Sequence, residues 1–512
     1  MLFRKAGKSE SFLFVEWCHQ RDVWDGKQGR QAILQNQQST IENIPEKNDF
    51  HTLFEAQKAA FLENPMPDAK KRIQDLKQLK RALLKYRDDI AHAIHTDFGH
   101  RSKDETILAE IFTSIKTLDY AAKKVNKWMK PSRRMPGLFF LPSWAKIYYQ
   151  PLGVVGIIVP WNYPLYLMIG PLAGVISAGN RALIRMSRFS PALSRLLKML
   201  LQEVYDTDPV SLFAGDEVSG SDFTSVPWDH LVFTGSTRVG RQVMRAAADH
   251  LVPVTLELGG KSPAIISDHV PMKDAAERIA WGKLLNSGQT CISPDYLFCP
   301  ENRVDEFTRA FKTAVGRMYG SFKTNPDYTG IQNDDQYNHL KTLLEDAEEK
   351  RATIIEINPN HEDFSDIRKL PPYLVLDATE DMLVMQKEIF GPILPILTYK
   401  KLKEVTGYIN SRPRPLALYF FDYNYKNAEY ILKNTHSGGA VINDTIVHVG
   451  QENLPFGGIG ASGMGQYHGY EGFLTFSKSK SVLFKPGFNS GRFLYPPYKG
   501  RIHRFFYKLM LR

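Results

Sequence analysis

The chain is predicted to fold as an α/β protein whose mostly parallel sheets are covered on both faces, and three observations predict it. From Lys146 to Leu258, short apolar runs alternate with stretches of helical periodicity. Those runs (VVGII, ALIR, VSLF, HLVF, VTLEL) are apolar at successive positions, as strands buried on both sides are. Glycine-containing turns follow several of them, at the strand ends where such sheets hold ligands.

Taken in order, residues 1–50 are polar and irregular and read as a poorly ordered extension. Arg4, Lys5 and Lys8 precede the apolar patch SFLFV, but Glu16 interrupts it too early for an export signal. Asp68 to Ile94 reads as one helix, from the spacing of Ile73, Leu76, Leu79, Leu83, Ile90 and Ile94. A second helical stretch runs from Glu105 to Met129, and Pro131 ends it. KIYYQ alternates as a strand, and VVGII begins the α/β run proper. Ser190–Tyr205 and Val239–Asp249 are its helices. Another α/β run starts at Lys261 and continues past FGPILPILTY to SGGAVIND, so a domain boundary falls near Gly259-Gly260. No internal repeat is visible.

Composition narrows the function. Apolar and charged fractions of 43% and 23% are those of a soluble globular protein, and 512 residues suffice for several domain-sized units. Cys18, Cys291 and Cys299 form neither a disulfide framework nor a metal knuckle, which points to a reducing compartment and no metal site. Nothing approaches the roughly 18 apolar residues of a membrane span. The net charge of +10 is largely a tail property: after Glu471 come nine Lys or Arg and no acid. It says little about a nucleic-acid surface on the body, and no nucleic-acid partner is expected.

The stretch Thr255–Pro294 concentrates the chemistry. Glu257 stands at a strand end against Gly259-Gly260, and Cys291 follows in a Gly-Gln-Thr-Cys turn beyond the helix Asp274–Asn286. A lone cysteine is more often inert core than nucleophile, so the pair needs support. VPWNYP (159–164) holds Trp161 and Asn162 between prolines, where a fixed amide could donate to an oxyanion; an aromatic turn is the competing reading. FTGSTRVG (233–240) ends a strand and opens a helix, so Gly235, Ser236, Thr237 and Gly240 suit a pyrophosphate. In EIFGP (388–392), Glu388 could accept from a ribose and Phe390 pack on a ring, against an exposed charge before a strand. LPFGGIGASGMG (454–465), preceded by Asn443, permits a tight backbone fold-back.

Together, PWNYP, FTGSTxxG, ELGGKSP, GQTC and EIFGP resemble the aldehyde dehydrogenase superfamily over roughly residues 60–485. PFGGIGASGMGQYHG and the aromatic, basic tail are similar to its class 3 branch. YQPLGVVGIIVPWNYPLYL, KLLNSGQTC, RPRPLALY and INDT look most like the coniferyl aldehyde dehydrogenases within it. The resemblance implies a Rossmann-like cofactor domain (51–140 and 151–259), an α/β catalytic domain (260–458) and an oligomerisation arm (141–150 with 473–490), leaving 491–512 as a basic aromatic tail. It implies NAD or NADP as cofactor and a homodimer in the cytoplasm. Cys291 becomes the nucleophile, Asn162 with the Cys291 N–H the oxyanion donors, and Glu257 the deacylation base, with Glu388 the other candidate base and the ribose ligand. The substrate would be an aromatic aldehyde of the coniferyl type, a medium-chain aliphatic aldehyde being the alternative. Tyr163, Tyr166 and Tyr296 are candidates to line its tunnel, unless they are ordinary core.

Two departures matter. The family's ribose-binding Lys and Glu, three residues apart, are represented by Arg185 and Arg188, so the acid that would reject a 2′-phosphate is missing and NADP is expected to serve at least as well as NAD. The family's proline after that lysine is Met186. Transfer of the acyl group to coenzyme A is a rival outcome, and Glu257 argues against it. In the tail, Ile502, Phe505, Phe506 and Leu509 share a helical face flanked by cations, which suits an anionic membrane surface, about eleven residues being too few to span it; docking on a subunit groove is the alternative.

Overall fold

The computed structural model describes residues 50–512 apart from 138–139, 206–208, 489–491, 493–494, 499 and 512. The extension assigned to residues 1–50 therefore lies almost wholly outside the described residues. The chain divides into two units, Met1–Leu53 and Phe54–Arg512, and everything below concerns the second.

Three sheets organise it. The first has six strands in the order Gly463–Met464, Val254–Leu258, His230–Gly235, Val154–Ile158, Arg181–Arg185 and Val210–Phe213. All neighbours are parallel except the short edge strand Gly463–Met464. Val154–Ile158 and Val210–Phe213 are buried at every position, which is why they read as unbroken apolar runs. Strand order reverses beside Val154–Ile158, between it and His230–Gly235. A crevice opens at such a reversal, beyond the strands' carboxyl ends. The segments that leave those two ends are Val159–Asn162 and Ser236–Thr237.

After Leu258 the chain crosses to a seven-stranded sheet. Its order is Thr353–Glu356, Tyr373–Leu376, Ile393–Tyr399, Tyr296–Pro300, Pro263–Ile266, Ala417–Phe421 and Gly439–Ile442. A third, antiparallel sheet joins Ser132–Arg134, Trp144–Pro151 and Ser477–Phe484, with Trp144 opposite Phe484 and Pro151 opposite Ser477.

Two helical expectations are corrected. The single helix expected over Asp68–Ile94 is two, Ala69–Lys85 and Arg87–Phe98, because Tyr86 leaves helical geometry (φ −99°, ψ 16°). Asp88 and Asp89 then fall in a new first turn, where the helix dipole favours them. The stretch expected as one helix over Glu105–Met129 contains a π-helical segment, Ile107–Phe112, between Lys103–Thr106 and Thr113–Trp128. Such widened turns cluster at functional sites, and this one carries the buried Glu110.

Candidate active site

The turn before Cys291 is where the chain bends most sharply. After the helix Met272–Leu284, the residues Asn286 (φ 54°), Ser287 (φ 51°) and Gly288 (φ 75°) are left-handed in succession. Two non-glycine residues in that conformation cost free energy, and local bonds offset it. The Asn286 N–H donates to Glu105 Oε1 at 3.0 Å, and Ser287 Oγ donates to the Thr329 carbonyl. Gly288 has no alternative: a Cβ there would lie 2.3 Å from the Gly391 carbonyl oxygen. Gln289, wholly buried, donates from Nε2 to Asn286 O (3.0 Å) and Gly330 O (2.9 Å). The loop that presents Cys291 is thus fixed from both sides.

Asn162 enters from the end of Val154–Ile158 and is 4% exposed. Its Nδ2 donates to Gln289 O at 3.2 Å, two residues before Cys291. An amide nitrogen carries two hydrogens, so one remains for a group at the sulfur. The Tyr163 hydroxyl lies 2.9 Å from Thr290 Oγ1, tying the two loops together again.

Cys291 lines a cavity of about 480 Å³ whose walls are largely apolar, including Tyr163, Tyr166, Leu167, Trp281, Leu285 and Phe456. That volume suits a small organic ligand. Tyr163 and Tyr166 line it as expected. Tyr296 does not: it is 2% exposed in the strand Tyr296–Pro300, packed against Phe298 and Tyr408 as core.

Burial pushes the Cys291 thiol up to about 12, with the Glu388 and then the Glu257 carboxylates adding to the effect. Glu257, 3% exposed near the end of Val254–Leu258, is driven well above the ordinary carboxylate range by burial. Neither of its oxygens makes a well-aligned hydrogen bond among the described residues, and the Gly458 amide alone opposes the shift. Glu388 rises to about 8, from burial first and then the charge of Asp295. It packs so closely on the ELGGK turn that a Cβ on Gly259 would lie 2.0 Å from its Oε2. Both carboxylates, the expected base and its alternative, thus lie within electrostatic reach of the Cys291 thiol.

The residues of the dinucleotide expectation lie mostly at or just beyond the carboxyl ends of neighbouring strands of the first sheet. Trp161 and Phe390 (φ 55°) meet edge to face at 5.4 Å between ring centroids. Ser236 caps the helix Thr237–Asp249, accepting from the Val239 N–H at 3.4 Å, and the first turn has no acidic side chain. Thr237 Oγ1 donates to Ala461 O at 3.1 Å, and Gly240 lets the helix seat on Leu258, whose Cδ2 would lie 2.6 Å from an added Cβ. Orphan N–H groups with no competing carboxylate fit a pyrophosphate. Arg185 spends Nε on Val218 O (2.8 Å) and Nη2 on Gly215 O (3.0 Å), fixing the loop after Val210–Phe213. Arg188 is exposed, its guanidinium 4.8 Å from the Phe189 ring centre. Arg185 is thus partly committed to structure, and Arg188, beyond the end of the same strand, is exposed beside Phe189.

Sequence reasoning passed over the polar frame beneath the site. Lys261 donates to Val384 O (2.7 Å) and Lys387 O (2.9 Å) and pairs with Asp295, whose Oδ1 accepts the Ile389 N–H at 2.9 Å. One ion pair thereby joins ELGGK, the PDY after Cys291, and EIFGP. Arg101, Glu105, Glu110, Asn286 and Gln289 form a second buried network. In sequence these look like solvated helix charges and loop amides, and only the tertiary fold brings them together.

A Pseudomonas aeruginosa protein described as a probable coniferyl aldehyde dehydrogenase is 53% identical to this chain over 481 residues, 94% of this chain and 99% of the relative. The coniferyl aldehyde dehydrogenase of Pseudomonas sp. strain HR199 is 44% identical over 449 residues, 87% and 93% of the two chains. Among solved structures, Staphylococcus aureus AldH in a substrate-bound state superposes with a TM-score of 0.84 at 38% identity, covering 91% of this chain and 100% of that one. The family model for aldehyde dehydrogenases matches residues 29–482. The chain belongs to the aldehyde dehydrogenase family and is an NAD(P)-dependent oxidoreductase acting on aldehydes.

Proposed function

We propose that the chain oxidises an aromatic, coniferyl-type aldehyde to its acid, with Cys291 as nucleophile, Asn162 and the Cys291 N–H as oxyanion donors, and Glu257 as the base for deacylation. The observation that carries this is the placement of Cys291 at an aromatic-lined cavity of about 480 Å³, within electrostatic reach of Glu257 and Glu388. An aldehyde carbon has no hydride to give until a nucleophile adds. Cys291 Sγ forms the C–S bond, its proton leaves for solvent, and the carbonyl oxygen becomes an alkoxide beside the Asn162 amide. When bound, the nicotinamide accepts the hydride with its electron pair. The carbon is then a thioester on Cys291. Glu257, as carboxylate, takes a proton from water as the oxygen attacks; the C–S bond breaks, and acid and thiol are released. Trp161, Arg185, Arg188, Gly235, Ser236, Thr237, Gly240, Glu388 and Phe390 are the residues that would hold the cofactor, Glu388 at a ribose.

The coniferyl type is supported by the two Pseudomonas relatives and by Tyr163, Tyr166 and Phe456 on the cavity wall, where flat rings stack well. A panel of aldehydes ranked by kcat/KM tests it. Hydroxycinnamyl aldehydes are expected first; medium-chain aliphatic aldehydes leading by an order of magnitude would overturn the substrate class. Turnover only with coenzyme A present, yielding the acyl-coenzyme A thioester, would overturn the hydrolytic step.

The wider setting belongs to the same reading. Ser477–Phe484 is an open edge of the three-stranded sheet, with Trp144 51% and Leu483 46% exposed, and a partner copy would cover them in a homodimer. No helix among the described residues is long and apolar enough to cross a membrane. The tail helix Arg501–Met510 exposes Ile502, Phe505 and Leu509 beside Arg501, Arg504 and Lys508, which supports a cytoplasmic enzyme touching the inner face of a membrane.

A further inference from the structure

We infer that Arg101 is a positioning residue for the oxyanion donor, acting through the main-chain carbonyl of Asn162. The inference rests on the reading of Asn162 as that donor. Arg101 has a wholly buried side chain, 3.7 Å from each of the Glu105 and Glu110 carboxylates. The rings of Phe98 and Tyr163 hold its guanidinium at 4.8 and 4.9 Å. From this fixed place Nη1 donates to Asn162 O at 2.9 Å.

The same carbonyl accepts Asn286 Nδ2 at 3.1 Å, and that nitrogen also reaches Gln289 O at 3.1 Å. Asn162 Nδ2 donates to the same Gln289 O. Asn162 is therefore held at two points, its own carbonyl and its side-chain amide, both referred to the loop that carries Cys291. Glu105 closes the ring through the Asn286 N–H. Glu110 Oε2 accepts the N–H groups of Leu165 (2.8 Å) and Tyr166 (3.2 Å), fixing the chain just beyond. The π-helical turn Ile107–Phe112 carries Glu110 into this position.

A buried arginine between two carboxylates is a costly way to fill space, since apolar side chains of similar volume pack as stably. What it adds is direction. The planar fork, balanced by carboxylates 3.7 Å away, aims Nη1 at the Asn162 carbonyl, whereas a lysine would keep the charge without that fixed direction. Oxyanion stabilisation depends on such placement, because a displacement of about 1 Å in a reacting group costs on the order of a hundredfold in rate.

The test is a double-mutant cycle of Arg101→Lys and Asn162→Ala, read as kcat and as the primary isotope effect with a 1-deuterated cinnamyl aldehyde. Asn162→Ala is expected to lower kcat about 100- to 1000-fold, the range for losing one oxyanion donor. Arg101→Lys should lower it about 10- to 100-fold with KM little changed. With the oxyanion less well held, the adduct would be less populated and in rapid exchange with free aldehyde, so hydride loss from it would limit the rate and the isotope effect should rise in both. In the Asn162→Ala background the arginine change should cost less than about twofold more, since its route of action is gone. Equal losses in both backgrounds, or an unchanged isotope effect, would make Arg101 a support of the fold and overturn the inference. Unchanged turnover in Asn162→Ala would instead remove the oxyanion reading on which it rests. Should Arg101→Lys fail to fold, Asn286→Asp takes its place in the cycle: the shape is kept, but an acceptor faces the two carbonyls, and the same non-additivity is expected.

Discussion

Replacing Glu257 by glutamine separates the two halves of the reaction. Glu257 is 3% exposed, and neither oxygen makes a well-aligned bond among the described residues, so an amide of the same shape fits with little change in packing. Burial makes the carboxyl hold its proton more tightly, and the neutral glutamine resembles the protonated form. Stability should thus change by no more than about 1 kcal/mol, as for a neutral polar exchange. Two kinetic consequences have opposite sign. Loss of the base should slow deacylation by about 10²- to 10⁴-fold. Loss of a negative charge beside Cys291 should ease thiolate formation, because that carboxylate is one of the groups that raise the thiol. Mixed rapidly with aldehyde and nucleotide, the variant should release one equivalent of reduced nucleotide per site and then stall. Intact mass should show the acyl adduct. In the parent the base acts only when deprotonated and its pKa is raised, so kcat should climb with pH through that pKa. That limb should vanish in the variant. Steady turnover at the parental rate, without a burst, would refute the assignment and pass the role to Glu388.

Three further outcomes are expected. Glu388→Gln should make Cys291 alkylate with iodoacetamide about 3- to 10-fold faster, and the difference should open above about pH 8, where the parental Glu388 carries its charge; equal rates across that range would show that the two groups do not interact. Arg188→Glu should shift the kcat/KM ratio from NADP toward NAD by about tenfold or more, the worth of a charge-assisted bond of roughly 1.5–3 kcal/mol, whereas a parent that prefers NAD strongly and a ratio left in place by the substitution would put Arg188 away from the 2′-phosphate. A chain ending at Tyr498 should sediment less with anionic vesicles than the full chain, and equal sedimentation would end the membrane reading of the tail.

The legible parts of this molecule are those whose signal is local. Val154–Ile158 and Val210–Phe213 show as apolar runs because each is buried on both faces. Cys291 and Glu257 show because their turns need glycine: Gly288 lies against Gly391 O, and Gly259 against Glu388. The break at Tyr86 stayed hidden because the apolar stripe on either side of it keeps one spacing. Arg101, Glu105 and Glu110 were equally hidden, since charges at such intervals on a helix normally face water and nothing local distinguishes a buried set. Tyr296 is the reverse case, an aromatic residue near the nucleophile in sequence that the strand Tyr296–Pro300 carries into the core.

Burial at Cys291 has a consequence that joins substrate choice to mechanism. The apolar cavity withholds water from Cys291, and Glu257 and Glu388 are buried as well, so all three hold their protons more tightly than free side chains do. Both carboxylates raise the thiol, so the ionisation of Cys291 follows theirs. An apolar substrate filling the cavity strengthens that effect by displacing solvent. The thiolate must therefore form with its charge passed directly to the carbonyl oxygen, whose place is set by the Asn162 amide. That makes the geometry of Asn162, more than the resting acidity of Cys291, the quantity on which acylation depends. A variant that disturbs Asn162 without touching the thiol should slow the first half-reaction while leaving the pH dependence of Cys291 alkylation where it was. A parallel shift in both would mean that resting acidity governs acylation after all.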